Sequence, residues 1–214
     1  MTNEYFTTPI TEGMKCGWTV TIDGVVTVVS QIVLESPMGR LEYGRRPEGY
    51  DGWAFAEKGG GGSCTIPYSH DPEGQLWLGL ILENRANMGG ERWCVVGGFK
   101  DPNETHKQAA AREALEETGF KMPEATPTTG LPVISNRLFF VADPTRDEGV
   151  HLFLVNVPWE ALEAGEGAEQ MKLRPSYQTW VQKGQMKLRL MPWRQAARLC
   201  PDPFLHASIL ADLL

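Results

Sequence analysis

Long apolar runs, paired cysteines and an excess of positive charge are all missing from this chain, and each absence removes a class of function. The longest apolar stretches, around Val25 to Leu34 and Leu76 to Leu82, are strand-sized and well short of the roughly 20 residues that cross a bilayer as a helix. The segment from Met1 to Gly17 carries Glu4 and Glu12 without an apolar core, so it does not read as a signal peptide. Cys16, Cys64, Cys94 and Cys200 lie far apart and form no C-x-x-C pair. That spacing argues against a zinc knuckle or a disulfide framework and for free thiols in a reducing compartment. Lys and Arg number 20 against 27 Asp and Glu, a formal charge of -7, which is the wrong sign for holding duplex DNA or an anionic membrane by charge. His70, His106, His151 and His206 show no mutual spacing of metal ligands. The expectation is a soluble, cytoplasmic protein with no nucleic-acid and no membrane partner, in which an anionic ligand needs metal ions or a local basic pocket.

What is present fits a chain with a real core: 214 residues, 42% hydrophobic and 22% charged. Trp18 to Glu35 is rich in Val, Ile and Thr around Asp23-Gly24 and reads as a hairpin. Ser36 to Asp71 is dense in Gly and Pro and reads as loops broken by short strands such as Trp53 to Ala56. Within it, the run Gly59 to Gly62 reads as a flexible connector, with a lid or phosphate-near turn as the alternative, since no Lys-Ser/Thr of a P-loop follows. Leu76 to Glu83 reads as a buried strand, and Trp93 to Val96 as a short one leading into Gly97-Gly98. Thr105 with Gln108 makes a capping-box signature ahead of His106 to Thr118, and Gly119 stands at the C-terminal cap position, so a helix is expected there. Further strands are expected at Arg137 to Ala142, Val150 to Val157 and Met186 to Met191, with closing helices at Pro192 to Leu199 and Pro203 to Leu214. The domain division expected is 1–70, an N-terminal β-rich extension and loop, and 71–214, the main domain.

The helix carries the chemistry. Glu113, Glu116 and Glu117 stand three and four residues apart, so their carboxylates share one surface near its C-terminal end. Three negative charges at the negative end of the helix dipole cost on the order of 1 kcal/mol without a counter-ion. A bound divalent cation removes that cost, and hard oxygen ligands suit Mg²⁺ or Mn²⁺; a solvated acidic face is the other reading of the helix alone. Gly97-Gly98 allows close approach of backbone to a ligand, and Glu104 at the helix entrance can reach Arg112.

Taken together, Gly98, Glu104, Arg112, Glu113, Glu116, Glu117 and Gly119 fall at the spacing of the Nudix box: Gly, five residues, Glu, seven residues, Arg-Glu-aliphatic-any-Glu-Glu-any-Gly-aliphatic. All seven charged or glycine positions match; Ala114 is smaller and Phe120 bulkier than the usual aliphatic residues, both at packing positions. The chain thus resembles the Nudix hydrolase family. The resemblance implies an α/β fold, the Nudix α/β/α sandwich with a mixed β-sheet, here with an N-terminal β-rich extension. It implies metal ligands at Glu113, Glu116 and Glu117 and at the carbonyl of Gly97 or Gly98, and an orienting pair in Arg112 and Glu104. Metal ions would polarise a diphosphate and position the attacking water.

Mg²⁺ alone leaves water weakly acidic, so a carboxylate base is also expected. The segment from Glu160 to Glu169 resembles the mobile acidic loop that supplies it in ADP-ribose pyrophosphatases, with Glu166 and Glu163 as the candidates. The long β-rich segment before the box and the closing helices resemble the ADP-ribose and nucleotide-sugar pyrophosphatase branch, whose members are commonly homodimers exchanging N-terminal strands. That likeness implies hydrolysis of a diphosphate linkage in a small nucleotide such as ADP-ribose, with Arg46, Arg85 and Trp53 among the residues placed to meet it. A house-cleaning nucleoside triphosphate pyrophosphohydrolase and a non-hydrolytic Nudix-fold nucleotide sensor are the competing readings; a sensor often loses box glutamates, which this chain keeps.

Overall fold

The protein is described here from a computed structural model covering residues 16–22, 25–37, 39–45, 51–57, 60–121, 149–179 and 187–212. Two sheets organise these residues. The first is an antiparallel meander of β1 (Cys16–Ile22), β2 (Val25–Ser36), β3 (Gly39–Arg45) and β4 (Asp51–Glu57). The β-branched hairpin read from the sequence is β1 and β2, paired from Cys16↔Gln31 to Ile22↔Val25.

The larger sheet holds β5 (Gly61–His70), β6 (Leu76–Arg85), β7 (Gly90–Cys94), β8 (Val96–Phe99), β9 (Gly149–Asn156), β10 (Leu162–Ala164), β11 (Met171–Leu173) and β12 (Arg189–Pro192). Its order is β10-β11-β12-β6-β5-β8, with β7 joined to β6 and β9 to β5. The β5–β9 pair is parallel and the others are antiparallel, so the sheet is mixed. This larger sheet takes in Gly61–His70, ahead of the boundary at 70/71 expected from composition.

Strand alternation gives the sheet two apolar faces. On one, Cys64, Ile66, Leu78, Leu80, Leu152 and Met191 pack against Ala196 and Cys200 and against Leu205 and Ile209, the residues of helices α2 (Trp193–Leu199) and α3 (Pro203–Asp212) with the residue closing α2. On the other, Trp77, Ile81, Val96, Val155 and Leu190 pack against Ala114 of helix α1 (His106–Thr118) and against Phe120. Helices on both faces of a mixed sheet make the α/β/α sandwich. Ala114 and Phe120, the two departures from the box pattern, are 2% and 4% exposed, so both are packing positions.

Three expectations are corrected. Gly61 and Gly62 of the glycine run are not a connector: both are buried inside β5. A side chain on Gly61 would strike the Gly149 backbone and one on Gly62 the Gly98 carbonyl, so glycine lets three strands approach closely. The strand expected at Trp93 to Val96 is broken at Val95, because β7 pairs with β6 whereas β8 pairs with β5. The acidic segment from Glu160 to Glu169 is no simple loop. A 3-10 turn (Trp159–Ala161) leads into β10, which pairs with β11, and Ala161 and Leu162 are buried. The strand expected at Arg137 to Ala142 lies outside the described residues.

Candidate active site

Local chemistry starts and stops α1 where the sequence says it should. The Thr105 hydroxyl accepts from the Gln108 N–H at 3.2 Å, and the Gln108 side-chain oxygen accepts from the Thr105 N–H at 2.8 Å. At the other end Gly119 takes φ 73°, and its N–H donates to the Leu115 carbonyl at 2.9 Å. Ahead of the helix, the Asp101 N–H donates to Glu104 Oε2 at 2.9 Å, folding the 100–104 loop back on itself.

Arg112 ties strand, loop and helix together. Its Nε donates to Glu104 Oε1 at 3.1 Å and its Nη2 to Glu104 Oε2 at 3.0 Å, a two-pronged pair, while Nη2 also donates to the Phe99 carbonyl at 2.8 Å. Its Nη1 reaches Glu113 Oε1 at 2.7 Å and Glu116 Oε2 at 3.4 Å. The Glu104 hydrogen bonds, followed by the pull of Glu113, hold the guanidinium charged far above its ordinary range, and the same bonds lower the Glu104 carboxyl.

Glu113 and Glu117 converge on the Gly97-Gly98 backbone. The Glu113 carboxylate lies where a side chain of residue 98 would stand, its Cδ 2.5 Å from the position of a Cβ there. Glu117 Oε2 accepts from the Gly97 N–H at 3.1 Å. Burial pushes Glu113 up, and it pushes Glu117 up to about 8, with the negative charge of Glu113 adding to the effect against the Gly97 hydrogen bond. Two half-buried carboxylates thus meet on one short piece of backbone. Glu117, Gly97 and Gly98 open onto a cavity of about 300 Å³ whose other walls include Glu83, Arg85, Asp202 and Phe204. Arg85 pairs with Glu83 at 2.7 Å and keeps 45% of its side chain exposed.

Among the described residues no three His, Cys, Asp or Glu side chains stand together as a closed metal cage. The donor set still fits Mg²⁺, which binds through one or two carboxylates and completes its shell with water and substrate phosphate oxygens. Glu113, Glu117 and the Gly97-Gly98 backbone provide that minimum of hard oxygens. Glu116, whose side chain is 49% exposed, stands on the outer side of Arg112.

The other candidates are dispersed. Arg85 is in the cavity with Glu117. Glu163 pairs with Lys172 at 3.5 Å, and Glu166 stands 3.9 Å from both Lys187 and Arg189 in a different cavity. Arg46 lies outside the described residues, and Trp53 lies in β4 opposite Tyr43. Sequence reading passed over Glu83 and Asp202. Glu83 had a signal, being two residues from Arg85 on a strand and so on the same face; Asp202, between the closing helices, had none. His106 Nδ1 lies 2.8 Å from the Gly62 carbonyl, and its ring stacks on His151 at 3.6 Å, fastening the start of α1 to β5 and β9.

The chain is similar to known proteins. The NUDIX domain profile matches residues 68–199. The putative 8-oxo-dGTP diphosphatase of Bacillus subtilis (strain 168) is 28% identical over 116 residues, 54% of this chain and 66% of that protein, just under two thirds of its length. Among solved structures, a mutT/nudix family protein from Listeria innocua is 26% identical with a TM-score of 0.44, over 72% of this chain and 94% of that one. An ADP compounds hydrolase is 16% identical with a TM-score of 0.44, over 82% of each chain. With most of the larger sheet, helices α1 and α2 and the complete glutamate box inside the matched span, this chain belongs to the Nudix domain family.

Proposed function

We propose that this chain is a metal-dependent pyrophosphohydrolase that cleaves the diphosphate linkage of a nucleoside diphosphate derivative, ADP-ribose or a nucleotide sugar. The observation that carries the reading is the meeting of Glu113 and Glu117 on the Gly97-Gly98 backbone at a cavity that also holds Arg85. Mg²⁺ or Mn²⁺, held by Glu113 and Glu117 with Glu116 beside them and a carbonyl of Gly97 or Gly98, would neutralise the diphosphate and leaving group. Arg112 keeps Glu113 in place and Glu104 keeps Arg112 in place. Arg85, with nearly half its side chain open to solvent, offers the diphosphate a fork of N–H donors.

The sequence reading assigns the water-activating base to Glu163 or Glu166. The ion pairs of Glu163 with Lys172 and of Glu166 with Lys187 and Arg189 would have to open first. Single Gln substitutions test it: a tenfold loss of turnover at one position supports the assignment, and none at either discards it.

A second reading, a nucleoside triphosphate pyrophosphohydrolase, draws on the name of the Bacillus subtilis relative. Product identity separates the two, since a nucleotide sugar yields two monophosphates and a triphosphate yields monophosphate and diphosphate. The deciding experiment measures release from ADP-ribose, nucleotide sugars and nucleoside triphosphates with Mg²⁺, alongside Glu117→Gln. Metal-dependent turnover of the first group, abolished by the substitution, is the expected result; tight binding without turnover of any would instead favour a sensor. We also propose a homodimer joined through the N-terminal sheet, where Val33 and Leu34 are 44% and 63% exposed; light scattering that gives a monomer would end that idea. The free thiols of Cys64, Cys94 and Cys200 suit a reducing, cytoplasmic setting.

A further inference from the structure

On the face of the larger sheet opposite α1 lies a second cavity, of about 500 Å³, lined by Leu82, Glu91, Trp93, Glu166, Gln170, Lys187 and Arg189. Strand alternation places it there: Leu82 follows Leu80 by two residues and Arg189 precedes Met191 by two, and both Leu80 and Met191 pack under α2 and α3, as does Trp93. We propose that this cavity is a second ligand site, taking a small organic phosphate with a flat ring, such as a nucleoside monophosphate. The phosphate would sit between Lys187 and Arg189 and the ring against Trp93 and Leu82. The inference goes beyond the proposed hydrolysis and places Glu166 at the approach to this second cavity, which leaves Glu163 as the base candidate of that reaction.

Arg189 carries the argument. It is 8% exposed, yet among the described residues its guanidinium makes one hydrogen bond, from Nη1 to the Leu188 carbonyl at 3.0 Å. A carboxylate oxygen of Glu166 stands 3.9 Å from Arg189 Nη2 and 3.9 Å from Lys187 Nζ, beyond hydrogen-bond reach of both. A guanidinium withdrawn from water with most of its donors unused is costly, and a dianion that reaches both cations removes that cost. The Glu166 side chain, 73% exposed, occupies the approach between the two cations and is free to be displaced. The wall also carries two apolar side chains, Leu82, 36% exposed, and Trp93, half-buried, alongside Glu91 and Gln170. The volume falls within the range of small-ligand sites, and the Gln170 amide offers both a donor and an acceptor to a ring edge.

The test is AMP binding to the whole chain by calorimetry in EDTA, which disables any metal-dependent site, with inorganic phosphate run in parallel. Lys187→Gln and Glu166→Gln change only side chains that are 72% and 73% exposed, so the fold is not at stake. The proposal expects Lys187→Gln to weaken AMP binding about three- to fivefold and Glu166→Gln, which removes the internal competitor, to tighten it by a similar factor. AMP should also bind more tightly than inorganic phosphate. No binding of AMP, or binding indifferent to both substitutions, would overturn the site; equal affinity for AMP and phosphate would overturn the role given to Trp93 and Leu82.

Discussion

Gly98→Ala and Gly62→Ala remove the same kind of glycine from neighbouring strands and should fail in opposite ways. Gly62 faces Gly98 across the β5–β8 pair, where Ser63 pairs with Gly98 and Gly62 with Phe99. A methyl group at residue 62 meets the carbonyl oxygen of Gly98, and behind it the Gly98 carbonyl carbon at 3.2 Å and Phe99 Cα at 3.5 Å, all backbone. Backbone in a paired strand cannot step aside without breaking the ladder, so the overpacking cost of about 1–3 kcal/mol applies. At about 2–4 °C per kcal/mol for a domain of this size, Gly62→Ala should lower Tm by about 2–12 °C. The three nearest atoms to a methyl group at residue 98 all belong to the carboxylate of Glu113, with Cδ at 2.5 Å and Oε2 at 3.0 Å. That is the far end of a flexible side chain, which can swing out at the expense of its 2.7 Å contact with Arg112. A partly exposed ion pair is worth about 0–1 kcal/mol, so Gly98→Ala should melt within about 4 °C of the parent. Its turnover, however, should fall at least about tenfold, because Glu113 is displaced from the backbone it shares with Glu117. Thermal melts in EDTA and Mg²⁺-dependent release from ADP-ribose read the two effects separately. Equal destabilisation by the two substitutions, or parental turnover in Gly98→Ala, would refute the reasoning.

Glu117 makes stability depend on pH in the metal-free protein. Its folded carboxyl is raised to about 8 from an ordinary value near 4.5, so the folded state binds the proton more tightly than the unfolded chain. The stabilising contribution is therefore complete below the unfolded value and is lost as pH rises toward and through 8. In EDTA, the Tm of the parent should fall across pH 5 to 8 more steeply than that of Glu117→Gln; parallel curves would contradict the burial of this carboxyl. Arg112→Lys keeps the charge and loses the two-pronged grip on Glu104 and the bond to the Phe99 carbonyl. It should destabilise by about 1–3 kcal/mol in denaturant melts and lower turnover as Glu113 loses its tether, whereas a silent substitution would show that a point charge suffices.

The α1 helix was readable in the sequence because its instructions are local. Thr105, Gln108 and Gly119 act within four residues of their partners, and the Glu113, Glu116 and Glu117 spacing follows from helix geometry alone. The hairpin of β1 and β2 and the closing helices α2 and α3 are local in the same way. The glycine run was read wrongly because its meaning lies in residues far along the chain: Gly61 and Gly62 are strand residues only when Gly98 and Gly149 lie against them. The break between β7 and β8 likewise follows from two different partners, β6 and β5, that no window of sequence contains. Asp202 reaches the cavity of Glu117 only after the chain has returned across the sheet. Glu166, a base candidate from the likeness of its segment to an acidic catalytic loop, lies beside Lys187 and Arg189. Sequence by itself determined the family, the glutamate-bearing helix and the residues that stiffen it, since caps, periodicity and spacing act over a turn or two. Tertiary structure decided which carboxylates share a cavity, because strand pairing between distant segments, and not proximity in the chain, sets which side chains meet.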